Sequence, residues 1–208
     1  MLIGYYNSSV YLTYVGLISS VAGMAAALRG RLFIALTLLL LSGLCDMYDG
    51  TLAGLVERSA DEQSFGIQID SLCDVVCFST FPAIIAFSVA GWTPLSAISM
   101  PMIVLSGVVR LAYFNVQEGN LLGADEKRTH YQGLPVTASA ILLPAGVVLF
   151  RLTGAPLHTA IPALNIAIAI ANVVGFTIKK PGEKEKLLLV LAGLCTFSLL
   201  WYARSKGV

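Results

Sequence analysis

Seven apolar stretches divide this chain and leave few folds open to it. They run over Val10–Leu28, Leu32–Val56, Ile69–Ala90, Leu95–Val116, Leu134–Phe150, His158–Ile178 and Leu187–Tyr202. A helix that crosses a bilayer needs about 20 mainly apolar residues. Lipid offers backbone groups no other partner, so each stretch is expected to be helical. The breaks carry turn or charge signals: Arg29-Gly30-Arg31, Glu57–Ser64, Gly91–Pro94, Glu118–Gln132, Arg151–Ala155 and Lys179–Lys186. The longest of them, Glu118–Gln132, is long enough for a short interfacial helix or a lid. Pro82, Pro101, Pro135, Pro144 and Pro162 lie in or at the edges of spans, where neighbouring helices can satisfy the freed carbonyls.

Composition agrees. Hydrophobic residues make up 57% of the 208 and charged residues 12%, against roughly a quarter charged in soluble domains. Mean hydropathy is +0.81. The expected fold is all-α: a polytopic transmembrane helix bundle with six core spans and one further C-terminal span, forming a single domain over residues 1–208. The N-terminus has no basic region before its apolar stretch, so the first span is expected to be retained rather than cleaved. A net charge of +1 speaks against nucleic acid as a partner.

Lys and Arg placement gives an orientation. With the Glu57–Ser64 loop in the cytoplasm, that side holds Arg58, Arg110, Lys127, Arg128, Lys179, Lys180, Lys184 and Lys186; the other holds Arg29, Arg31, Arg151, Arg204 and Lys206. The N-terminus is then inside and the C-terminus outside. Tyr5, Tyr6, Trp92, Trp201 and Tyr202 suit interfacial belts. Cys45, Cys73, Cys77 and Cys195 all fall in apolar stretches and read as small buried side chains.

Chemistry concentrates in four aspartates of the second and third spans: Asp46, Asp49, Asp70 and Asp74. An aspartate at the bilayer centre costs about 2.5–3.5 kcal/mol, which makes intramembrane carboxylates functional candidates. Asp46 and Asp49 stand at i and i+3, Asp70 and Asp74 at i and i+4, so each pair shares a helix face. The two spans form a hairpin, which brings both pairs to one membrane surface. Arg110 is the only basic residue well inside a span, and one arginine cannot neutralise four carboxylates. A divalent cation can, and an all-oxygen donor set suits Mg²⁺, Mn²⁺ or Ca²⁺. Gly50 and Gly66, beside the acids, let a ligand approach bare backbone; Gly43 reads as helix packing.

The run Asp46-Met-Tyr-Asp49-Gly50-Thr-Leu-Ala53, followed by Gly66-Ile-Gln-Ile-Asp70-Ser-Leu-Cys-Asp74, resembles the CDP-alcohol phosphotransferase signature, D-x2-D-G-x2-A-R, a spacer, then G-x3-D-x3-D. Phe65–Phe78, Arg110–Val116 and Gly133–Thr137 are similar to its phosphatidylserine synthase branch, and Asn7 and Thr13 to the family's N-terminal pattern. The resemblance covers about 7–186. Two departures stand out. Gly54 occupies the place of the signature arginine, and the spacer to Gly66 has eleven residues instead of about eight. Arg58, one helical turn beyond Gly54, is the basic residue placed to take over a phosphate contact.

The resemblance implies an enzyme that moves a phosphatidyl group from CDP-diacylglycerol to L-serine and releases CMP, in the cell membrane with its site facing the cytoplasm. It implies Mg²⁺ or Mn²⁺ at Asp46, Asp49, Asp70 and Asp74, with Asp74 as general base. It implies nucleotide contacts at Asp46, Asp49, Gly50, Ala53, Gly66 and Asp70. Arg110 and Asn115 are candidates for the lipid phosphate or serine. Arg110 could equally pair with an aspartate or helix carbonyls. The family also suggests a homodimer among membrane lipids. Other acceptors, such as glycerol phosphate or inositol phosphate, stay open, as does a divalent-cation transporter.

Overall fold

The computed structural model describes residues 3–6, 10–124, 130–179 and 182–205. Asn7 lies outside the described residues, as do Lys127 and Arg128. Eight helices follow in order: α1 (Tyr11–Leu28), α2 (Leu32–Ala53), α3 (Ala60–Asp74), α4 (Phe81–Ala90), α5 (Pro94–Ala124), α6 (Ser139–Thr153), α7 (Leu157–Val173) and α8 (Glu183–Ser205). A π-helical segment, Val75–Thr80, joins α3 to α4, so Ala60–Ala90 forms one continuous rod. Among the described residues six helices are long and apolar enough to cross a membrane, and α7 is a shorter apolar one. This is the expected all-α, multi-pass bundle, with α8 as the extra C-terminal span.

α1 and α2 form a tight hairpin. Gly30 makes the turn at a φ of +71°, which only glycine adopts without strain. Small residues line the seam. A β-carbon on Gly16 would stand 3.3 Å from Cys45 Cβ, and Ser20 Oγ donates to Ser42 Oγ at 2.9 Å. Gly43 faces α6, where a β-carbon would come within 2.5 Å of Ala140 Cβ, which bears out its packing role. The main core gathers Leu36 and Leu39 of α2, Phe78, Phe81 and Ile85 of the α3–α4 rod, Leu143 of α6 and Ile161 of α7. Outside it, Phe33 of α2 packs edge-on against Trp201 of α8, with ring centroids 5.8 Å apart.

Boundaries differ from the apolar stretches where polar capping or long-range pairing decides them. α3 begins at Ala60, well before Ile69, because Ser59 and Glu62 form a capping box that supplies partners for the first free N–H groups. α2 stops at Ala53, short of Val56. α5 runs through to Ala124, so the polar stretch after Glu118 begins as helix. α6 starts at Ser139, behind Pro135 and a 3-10 turn at Val136–Ala138. α8 starts at Glu183 rather than Leu187.

α7 ends at Val173, not Ile178. Beyond it Thr177–Lys179 pairs antiparallel with His130–Gln132, Tyr131 opposite Ile178. Gly133 N–H donates to Phe176 O and Leu134 N–H to Ala171 O. This ribbon ties the segment before α6 to the end of α7.

Candidate active site

The four aspartates meet. Asp46 and Asp49 come from the last two turns of α2, Asp70 and Asp74 from the end of α3, and all four line one cleft with Thr13, Cys73 and Cys77. One oxygen from each of Asp46, Asp49 and Asp70 lies within 4.8 Å of the others. Asp74 is buried at 8% exposure beside them.

Local structure explains the convergence. Asp74 is the last α-helical residue before the π-helical segment, and such segments mark functional sites in many helices. Pro82 lacks the N–H that would bond Phe78 O. Ser139 Oγ donates to that carbonyl instead, at 2.9 Å. The rod's irregular turn is thereby anchored on α6, below the acids. On the other side Thr13 Oγ1 of α1 donates to Asp49 Oδ2 at 2.9 Å.

The donor set fits a hard divalent cation. Three carboxylate oxygens gathered within 4.8 Å of one another are the all-oxygen donors that such an ion takes. Asp70 Oδ1 is buried with no hydrogen-bond partner, and a buried acceptor left so is costly. Among the described residues no Lys or Arg forms an ion pair with any of the four. A cluster of carboxylates with an orphaned oxygen and no basic partner is what a cation site looks like before its ion is added.

The glycines divide by surroundings. A β-carbon on Gly50 would meet nothing within 4 Å, so backbone beside Asp49 is open. On Gly66 it would meet only the Arg58 guanidinium, at 3.5 Å. Ala53 is half-buried one turn after Asp49.

Among these geometric facts the deciding one is the union of both signature halves on a single cleft. Residues 6–177 match the family model for CDP-alcohol phosphatidyltransferase. The chain belongs to that family. The matched region ends before α8. The chain is 33% identical to archaetidylserine synthase of Methanothermobacter thermautotrophicus over 156 residues, 74% of this chain and 61% of that protein. It is 36% identical to CDP-diacylglycerol--serine O-phosphatidyltransferase of Saccharomyces cerevisiae over 107 residues, 50% of this chain and 38% of that one. It is 28% identical to the protein of the same name from Methanocaldococcus jannaschii over 193 residues, 90% and 86% of the two chains. The chain spans less than two thirds of the length of the first two relatives.

Arg110 and Asn115 are not among the residues that line the aspartate cleft. Arg110 is buried, and its Nη1 donates to Asn172 O at 3.0 Å and to Gln132 O. Its guanidinium also sits 4.5 Å from the Phe114 ring centre. Among the described residues the two acceptors are carbonyls of a helix and a strand, one of the two expected kinds of structural partner. Arg110 also borders a cavity of about 240 Å³ shared with Tyr113, Gln132 and Asn172. Asn115 accepts from Ser71 Oγ at 2.8 Å and donates to Gln68 Oε1 at 3.4 Å. Ser71 and Gln68 were not legible as site neighbours, since serine and glutamine on a helix carry no signal of their own. Cys45, Cys73 and Cys77 are buried as expected, whereas Cys195 is exposed on α8.

Proposed function

We propose that this protein transfers the phosphatidyl group of CDP-diacylglycerol to the hydroxyl of L-serine, forming phosphatidylserine and CMP. The observation that carries this reading is the meeting of carboxylates from α2 and α3, with one Asp70 oxygen unpartnered, in a chain of this family. Serine is the acceptor that the relatives' names share. Their names differ in the lipid, so the donor's chains are the variable part.

Asp46, Asp49 and Asp70 would hold a divalent cation, Mg²⁺ or Mn²⁺, with Asp74 close enough to assist. Such a cation, when bound, offsets charge that develops on the leaving nucleotide. The rest of the chemistry belongs to the chain. Gly50, Ala53 and Gly66 offer bare helix surface on which the nucleotide can lie, while the donor's acyl chains remain in the bilayer. Asp74 accepts the proton of the serine hydroxyl as its oxygen bonds to phosphorus and the bond to CMP breaks. Burial of Asp74 keeps water, a competing acceptor, away from the reacting phosphorus. Arg110 and Asn115 approach from α5, and the cavity beside Arg110 suits a serine carboxylate or lipid phosphate, which a guanidinium binds well. The charge bias supports a cytoplasmic face for this site, and the resemblance to the family supports a homodimer.

The test is CMP release by purified protein supplied with CDP-diacylglycerol and labelled L-serine, with and without EDTA. Labelled phosphatidylserine that disappears with EDTA is the expected result. Product with glycerol phosphate or inositol phosphate but none with serine would move the protein to another acceptor. Cation flux in sealed vesicles with no CMP release would make it a transporter.

A further inference from the structure

The signature arginine would stand at position 54, on the same stripe of α2 as Asp46 and Gly50 at i, i+4 and i+8. Gly54 leaves that position bare, and the last turn of α2 carries no basic residue. The pyrophosphate of a CDP-linked donor therefore meets no cation from α2.

Arg58 lies in the segment between α2 and α3, and its guanidinium folds back over α3. Nη1 lies 3.5 Å from the point where a β-carbon on Gly66 would stand. Gly66, Asp70 and Asp74 recur every four residues on α3, so they form one stripe. Arg58 thus caps the outer end of the acidic stripe, one turn from Asp70. The side chain is half-buried. Among the described residues it forms no ion pair and its guanidinium donates no hydrogen bond; only its backbone carbonyl is engaged, by Gln63 Nε2 at 3.2 Å. The nearby Glu62 carboxylate is turned to Ser59 in the capping box. A half-buried guanidinium with unspent donors, beside bare glycine and at the mouth of a phosphate-transfer cleft, is placed for an anionic ligand.

We propose that Arg58 binds the pyrophosphate of the CDP-linked donor, taking from the α2–α3 loop the place that the signature gives to residue 54. The inference rests on the reading of the protein as a CDP-lipid transferase. The α2–α3 segment, longer here than in the signature, carries Arg58 over Gly66. Arg58 is therefore a donor-binding residue, with no part in the proton transfer assigned to Asp74.

The experiment measures binding of labelled CDP to the purified full-length protein in detergent with Mn²⁺, together with KM for CDP-diacylglycerol and kcat. It compares wild type, Arg58→Gln, Arg58→Lys and the double variant Arg58→Gln/Gly54→Arg. Position 54 accepts a side chain without strain, since a β-carbon there meets only carbonyl oxygens of Thr51 and Gly50 at 3.5 and 3.6 Å. Arg58→Gln is expected to weaken CDP binding and raise KM about tenfold or more, as for loss of a hydrogen bond to a charged group. Arg58→Lys should fall between. Gly54→Arg in the Arg58→Gln background should restore most of the affinity, which repair of a merely structural loss would not do. CDP binding by Arg58→Gln equal to wild type, or a loss that Gly54→Arg fails to recover, overturns the proposal even if wild type makes phosphatidylserine. Wild type that binds CDP through Arg58 but transfers nothing to serine leaves the proposal standing and removes the serine reading.

Discussion

Thr13 on α1 donates a hydrogen bond to Asp49 Oδ2 on α2 at 2.9 Å. The bond fixes one carboxylate oxygen in space before any ligand arrives, and it makes α1 part of the site. Thr13→Val keeps the branched shape and removes the donor. It is expected to weaken divalent-cation affinity about tenfold, the scale of one hydrogen bond to a charged group, with little change in thermal stability. Titration of cation-dependent turnover and a melting curve separate the two. Unchanged cation affinity would show that Asp49 needs no help from α1.

Asp49 and Asp74 occupy different stations of the cleft, so their amides should fail differently. Asp74→Asn is expected to abolish turnover while leaving CDP binding largely intact, because the lost group is the one proposed to take the acceptor's proton. Asp49→Asn should weaken cation and CDP binding together. Equal, mild effects at both positions would contradict the assigned roles.

Gly133 holds the turn between the ribbon and α6 at a φ of +67°. A β-carbon there would come within 2.8 Å of Asn172 O, 2.9 Å of Arg110 Nη1 and 2.9 Å of Val174 O. Gly133→Ala must therefore displace backbone as well as adopt a left-handed conformation, at a cost of about 2 kcal/mol or more. A clear drop in melting temperature is expected, with the Arg110 cavity disturbed. A melting curve that overlays wild type would mean that the turn relaxes freely.

The acids were readable in the sequence because helical spacing alone decides which face a side chain takes. Asp46 with Asp49 and Asp70 with Asp74 needed only to be helical and adjacent to converge, and they do. Gly43 was readable as packing for the same reason. The start of α3 was written in Ser59 and Glu62, yet hydropathy hid it, since those residues are polar and lie outside the apolar stretch. The end of α7 was not readable. Val174, Gly175 and Phe176 continue the apolar pattern, and the chain leaves the helix there because the distant strand His130–Gln132 pairs with Thr177–Lys179. The bond of Thr13 to Asp49 and the fold of Arg58 over Gly66 depend on contacts between elements, which spacing within one element cannot report.

Carboxylates of α2 and α3 are proposed to bind one divalent cation jointly. Mn²⁺ binding to the purified protein, followed by electron paramagnetic resonance, tests it directly. The expected result is one tight Mn²⁺ per chain in wild type, lost when either Asp49 of α2 or Asp70 of α3 is changed to Asn. Stoichiometric Mn²⁺ binding that survives both substitutions, or no tight binding in wild type, would contradict it.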